Sequence, residues 1–113
     1  MLKPFNTERP WGEFRQFTSG ESVTVKLHFV KAGAEMSLQY HNKRSEFWRV
    51  ISGTPVITIG DNTIEAKAGD EYTVDIGEQH RIASPNGESQ ILEIMEGEFD
   101  ENDIVRIEDK YGR

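Results

Sequence analysis

From Ser22 onward the chain alternates in short bursts: VTVKLHFV, FWRVI, PVITI, TIEAK, EYTVDI and ILEIM are rich in β-branched and aromatic residues and keep a period of two. Between them KAGAE, SGTP, GDNT, KAGDE, IGEQ and SPNGE supply residues suited to turns. They recur at roughly the 8 to 12 residue spacing of sandwiches and barrels. The pattern predicts an all-β meander or jelly roll, one domain over residues 1–113, with no long helix, internal repeat or linker. The tail FDENDIVRIEDKYGR has room for a short helical turn ahead of a final edge segment.

Composition narrows the class. A length of 113 residues suits one core and is too short for two. Thirteen basic against twenty acidic residues give a net charge of −7, interspersed along the chain, so nothing points to nucleic acid or an anionic membrane surface. No apolar run approaches the roughly 20 residues of a membrane span. The start MLKPFNTERPWG lacks the apolar region of a secretory signal, which leads us to expect a soluble, cytoplasmic protein. There is no cysteine, so thiolate ligation and disulfides are excluded.

Against this apolar background LQYHNKRSEFW stands out. Residues two apart on a strand share a face, so Gln39 and His41 point together. After the polar break Asn42 to Ser45, alternation sets Glu46, Trp48 and Val50 on one face and Phe47, Arg49 and Ile51 on the other. His80 follows 80 − 46 = 34 residues beyond Glu46, just after a glycine turn at Gly77. Gln39, His41, Glu46 and His80 would offer two nitrogens and two oxygens, a donor set suited to a divalent first-row metal. Histidines held singly in hydrogen bonds are the competing reading, and the residues alone leave both open.

The arrangement Gln39-x-His41-x4-Glu46-x6-Gly53, with Gly69-x5-Asp75-x-Gly77-x2-His80, resembles the two cupin motifs, Gln39 standing for the first histidine. Reading outward, RPWGEF, VKAGAEMSLQYH, EFWRVISGT, HRIASPNG and EFDENDIVRIEDKYGR resemble the type II mannose-6-phosphate isomerases. That family occurs alone or as the C-terminal cupin domain of mannose-1-phosphate guanylyltransferases. The resemblance covers nearly the whole chain. It implies a single-domain cupin, the double-stranded β-helix or jelly-roll barrel. Gln39, His41, Glu46 and His80 are the implied ligands of a divalent ion, zinc ahead of manganese, cobalt, nickel or iron. The implied activity interconverts mannose 6-phosphate and fructose 6-phosphate through an enediol.

The same resemblance assigns Arg44, in the place of the arginine of the family's HRAEH, to developing oxyanion charge or phosphate. Lys26 matches a family lysine and would contact phosphate if its strand face looks inward; His28, on that face, reads as structural. Glu93 aligns with a family glutamate and is the candidate base, although a single glutamate on an alternating strand is more often at the surface. Arg81 follows His80 and so points to the opposite face. Trp11, Trp48 and Tyr72 read as core or interface residues, with Trp11 alternatively covering the barrel mouth. The chain departs from the family pattern QMHHHRAEHW at Asn42, Lys43 and Phe47, and Asp75 replaces a proline. Phe47 in place of a histidine raises the alternative of a non-catalytic sugar-binding cupin; a metal cupin acting on another sugar or using iron is a third reading. Exposed sheet edges lead us to expect a homodimer.

Overall fold

A computed structural model describes residues 2–112. Eleven strands lie among them: β1 (Phe5–Arg9), β2 (Gly12–Gln16), β3 (Val23–Val30), β4 (Leu38–Tyr40), β5 (Arg44–Ser52), β6 (Val56–Ile59), β7 (Asn62–Glu65), β8 (Glu71–Val74), β9 (His80–Ala83), β10 (Ser89–Gly97) and β11 (Val105–Glu108). No helix occurs among the described residues. Two antiparallel sheets form the body, in the orders β3-β10-β5-β8 and β11-β4-β9-β6-β7, and β1 and β2 make a separate hairpin. The all-β expectation therefore holds. The hairpin is additional: FNTER and GEFRQ are too polar on both faces to give an alternating signal.

Trp48, Val50, Val74 and Ile91 from the first sheet meet Ile57 and Ile82 from the second, all at most 1% exposed. This is the interdigitated interior of a sandwich. The central strands β5 and β10 are also covered behind, where Phe47 and Ile94 join Leu2, with Phe17, Val23 and Leu92 at the margin. Glu71 of β8 fastens the hairpin to the body, accepting from Arg15 Nε (2.8 Å) and from Arg49 Nη1 (2.7 Å). Those bonds, the Arg15 one foremost, hold the Glu71 carboxyl below the usual carboxylate range.

Two expectations change, and the face of β3 left open by the sequence is decided. The tail makes a reverse turn, with the Asp103 amide donating to the Asp100 carbonyl (2.9 Å), instead of a helical turn; the expected edge strand follows as β11. Trp48 lies in the core and Tyr72 against it, but Trp11 is 73% exposed, because it occupies the turn between β1 and β2. On β3 the usual burial is inverted: Val25, Leu27 and Phe29 are exposed, whereas Lys26 and His28 face the interior cavity.

Gly97, at φ 120°, ends β10 where it pairs with Arg44 at the start of β5. A Cβ there would lie 2.5 Å from the Lys43 carbonyl oxygen, so only glycine permits the approach. Residues 98–104 then return to the bend after β4, where Asp103 accepts from the Asn42 amide.

Candidate metal centre and its cavity

The short β4 ends at Tyr40, and His41 is the first residue of the bend into β5. The bend is held from the far end of the chain. Asp103 accepts from the Asn42 and Lys43 amides, both at 2.9 Å, and its own backbone oxygen accepts from His41 Nδ1 at 2.6 Å. The amide bonds, that from Asn42 foremost, hold the Asp103 carboxyl below its ordinary range. From the other side the Gly77 amide donates to the His41 carbonyl (2.7 Å). His80 opens β9, and its Nδ1 donates to the Glu78 carbonyl (2.9 Å).

These two backbone acceptors set the tautomers. With Nδ1 protonated on each ring, both Nε2 lone pairs are presented to Glu46. His41 Nε2 is 3.1 Å from Glu46 Oε1, and His80 Nε2 is 3.7 Å from Glu46 Oε2. Donor atoms of all three residues lie within 4.8 Å of one another, and all three side chains are buried. His80 Nε2 has no hydrogen-bond partner. An orphaned, buried nitrogen facing a carboxylate is a poor arrangement for a protein alone and a suitable one for a cation between them. Ligand atoms at about 2.1 Å from a shared ion stand about 3 to 3.5 Å apart, close to the spacing observed. The residues therefore fit a divalent metal.

The electrostatics agree. Burial pushes His80 down to about 4, beyond what its bond to Glu78 restores, so the ring is neutral near pH 7, as a ligand must be. Burial alone would raise the Glu46 carboxyl, but its neighbour His41 and the hydrogen bond donated by the Trp48 indole outweigh it and hold the group below the usual carboxylate range. Gln39 lines the same cavity, paired in register with His80, its amide oxygen accepting from Ser37 Oγ (2.8 Å).

Above the three residues opens a cavity of about 360 Å³. Arg44 reaches across it, Nη2 lying 3.3 Å from His41 Nε2 and Nη1 donating to the Asp100 carbonyl at 3.2 Å. Its guanidinium stacks 5.1 Å from the Phe99 ring centre, and Lys26 Nζ stands 4.9 Å from the same ring. Arg106 of β11 lines the cavity as a further cation. Pairing in register sets Lys26, Glu93 and Trp48 side by side across β3, β10 and β5. The Trp48 indole N–H is shared between Glu46 Oε2 (2.8 Å) and Glu93 Oε2 (3.1 Å), while Glu93 Oε1 meets His28 Nε2 at 3.0 Å.

All seven residues singled out from the sequence thus reach one cavity: Gln39, His41, Glu46 and His80 with Lys26, Arg44 and Glu93. The surface expectation for Glu93 is corrected, since it is 7% exposed beside Trp48. Phe47 is excluded from the cavity, packed behind the sheet with its ring 5.7 Å from that of Phe17. Arg81 points away, as expected, and bonds Glu108 (2.8 Å). Sequence reasoning missed His28 as a cavity residue, and also Phe99, Asp103 and Arg106. The pattern EFDEND, an aromatic inside an acidic run, was the available signal for the tail.

Comparison with known proteins places this geometry. The chain is 38% identical over 107 residues to the xanthan biosynthesis protein XanB of Xanthomonas campestris pv. campestris, covering 93% of this chain and 23% of that protein. It is 35% identical over 105 residues to mannose-1-phosphate guanylyltransferase 2 of Escherichia coli O157:H7, covering 91% of this chain and 22% of that one. The chain thus spans less than a quarter of the length of these relatives. Among solved structures, oxalate decarboxylase from Bacillus subtilis superposes with a TM-score of 0.69 at 24% identity, over 77% of this chain and 24% of that one, which shows the cupin fold. Residues 3–109 match the family described as mannose-6-phosphate isomerase C-terminal, so the sheets, the cavity and the motifs that carry its polar residues are those of a member: the chain belongs to that family.

Proposed function

We propose that this domain is a metal-dependent sugar-phosphate isomerase interconverting mannose 6-phosphate and fructose 6-phosphate. The observation that carries the reading is a buried His41–Glu46–His80 group at the floor of a cavity whose walls bear Lys26, Arg44 and Arg106, in a chain of this family. His41, Glu46 and His80 would hold a divalent ion, zinc foremost, with Gln39 beside them. When bound, that ion supplies a Lewis acid for the sugar oxygens. Trp48 holds Glu46 in orientation through its indole N–H, and the Asp103 and Glu78 carbonyls hold the rings, so the ligands need little rearrangement. Arg44 and Lys26, clamped over Phe99, present charge-assisted donors to oxyanion or phosphate. The apolar layer of Trp48 and Ile91 beneath the site limits water, which strengthens each of these interactions.

The alternative of a sugar-binding module rested on the loss of a histidine at Phe47. That side chain lies behind the sheet, so the substitution leaves the cavity wall unaltered. The test is conversion of mannose 6-phosphate by the zinc-, manganese- or cobalt-loaded chain, followed by NMR. Turnover that a chelator stops is expected; binding of the sugar phosphate without turnover would favour the binding module. The proposal includes a homodimer, because the edge strand β3 carries the outward apolar row Val25, Leu27 and Phe29. Sedimentation should give twice the chain mass, and Phe29→Glu should halve it.

A further inference from the structure

We propose that His28 carries the proton between the two sugar carbons and that Glu93 is its positioning residue. The proposal rests on the isomerase reading above and reassigns the base within it. Both oxygens of Glu93 are engaged, Oε1 by His28 Nε2 (3.0 Å) and Oε2 by the Trp48 indole (3.1 Å), and the residue is 7% exposed. Each of its oxygens is thus already held by a partner. His28 is placed differently. Its side chain is 25% exposed to the cavity, and among the described residues its only hydrogen bond is the one to Glu93.

A carboxylate only accepts, so the shared hydrogen sits on His28 Nε2 and the lone pair on Nδ1. An imidazole oriented by a buried carboxylate through one nitrogen is the arrangement of a general base. His28 and Glu93 share a sheet with Glu46, in the strand order β3-β10-β5, and His80 lies on the other sheet; a sugar between the sheets would have its oxygens toward the metal group and its carbons toward His28.

The step balances. Nδ1 takes the proton from C2 of the aldose; the C–H pair becomes the C1–C2 double bond, and the carbonyl pair moves to O1. The imidazolium returns the proton to C1, the double-bond pair forming the new C–H bond. The hydroxyl proton passes from O2 to the neighbouring O1, leaving a carbonyl at C2. No oxidant or co-reactant is needed. Glu93 stabilises the transient imidazolium at Nε2, and Trp48, shared with Glu46, sets the carboxylate against the metal group.

The experiment uses metal-loaded full chain with mannose 6-phosphate in deuterium oxide, scoring rate and label at C1 of fructose 6-phosphate by NMR. His28→Gln keeps a donor toward Glu93 but cannot take a proton. It should lose at least about 100-fold in kcat, with KM within about twofold and with melting temperature and metal stoichiometry unchanged. Glu93→Gln should lose about 10 to 100-fold in kcat, again with KM retained. Wild-type product should carry solvent deuterium at C1. The proposal is overturned if His28→Gln keeps kcat within threefold, if it loses metal, or if the wild-type product retains all its hydrogen, the mark of a hydride shift. A loaded wild type with no turnover at all overturns the isomerase reading as well, which separates the two failures.

Discussion

Glu46 and Phe47 are consecutive residues of β5, 3% and 4% exposed, and they serve opposite sides of one sheet. Glu46 faces the cavity with His41, His80 and Trp48, where both imidazole Nδ1 atoms and the Trp48 indole N–H are held by named acceptors. Phe47 faces Leu2, Phe17 and Ile94, an apolar layer supplied by the N-terminal segment. Burial is the same, and the consequences differ. On one side burial shifts ionisation and leaves His80 Nε2 without a partner; on the other it contributes only packing. A departure from a family motif must therefore be placed on a side of the sheet before it is read as lost chemistry.

Substitutions on the two sides sharpen this contrast. The largest effect on stability is expected from Phe47→Ala, which empties the rear layer and should cost about 3 to 5 kcal/mol in urea unfolding, while metal stoichiometry stays unchanged. Stability lost together with metal would break the distinction. Next is pH. His80 is depressed to about 4 in the fold against 6.5 when free, so between those values the unfolded chain binds a proton that the native chain does not. Stability of the chelator-treated chain should therefore be full above pH 6.5 and fall by about 3 kcal/mol as pH drops toward 4. The lowered Glu46 and Asp103 carboxyls act in the same direction, their contributions disappearing as pH falls through their folded values. Urea midpoints at stepped pH check this, and a flat profile would contradict the buried, neutral ring.

Arg44→Lys keeps the charge and loses the planar fork over Phe99. Turnover should fall at least about tenfold, ~1.4 kcal/mol, at constant metal content. The smallest expected effect is that of Phe47→His: it restores the family's residue behind the sheet, so turnover should stay within about twofold while the melting temperature falls. A large gain in turnover would mean that the rear layer communicates with the cavity.

Much of this was legible in the chain because strands announce themselves by period two. The alternation around Gln39, Glu46 and Trp48 was enough to bring the polar groups to one face, and glycine-bounded turns predicted where the strands end. Three kinds of information were not local. The inversion of β3 could not be read from VTVKLHFV, since alternation shows that two faces differ and not which one is buried. Asp103 acts on His41 from 103 − 41 = 62 residues away through a backbone oxygen, which has no side-chain signature. Phe99 and Arg106 reach the cavity from the tail, which leaves β10 at Gly97, close against the Lys43 carbonyl. For His28, the sequence presented a histidine beside a lysine on a strand, and its dyad with Glu93 exists only through the β3–β10 register.

The most direct test of the account is a metal titration of the stripped chain followed by calorimetry, wild type beside the His41→Ala/His80→Ala double variant, with melting curves to show that both fold. The account predicts about one divalent ion per chain for the wild type, with affinity falling at acid pH as the imidazoles compete for protons, and no binding by the double variant. Stoichiometric binding by a folded double variant would place the ion elsewhere and contradict the reading of this cavity as a metal centre.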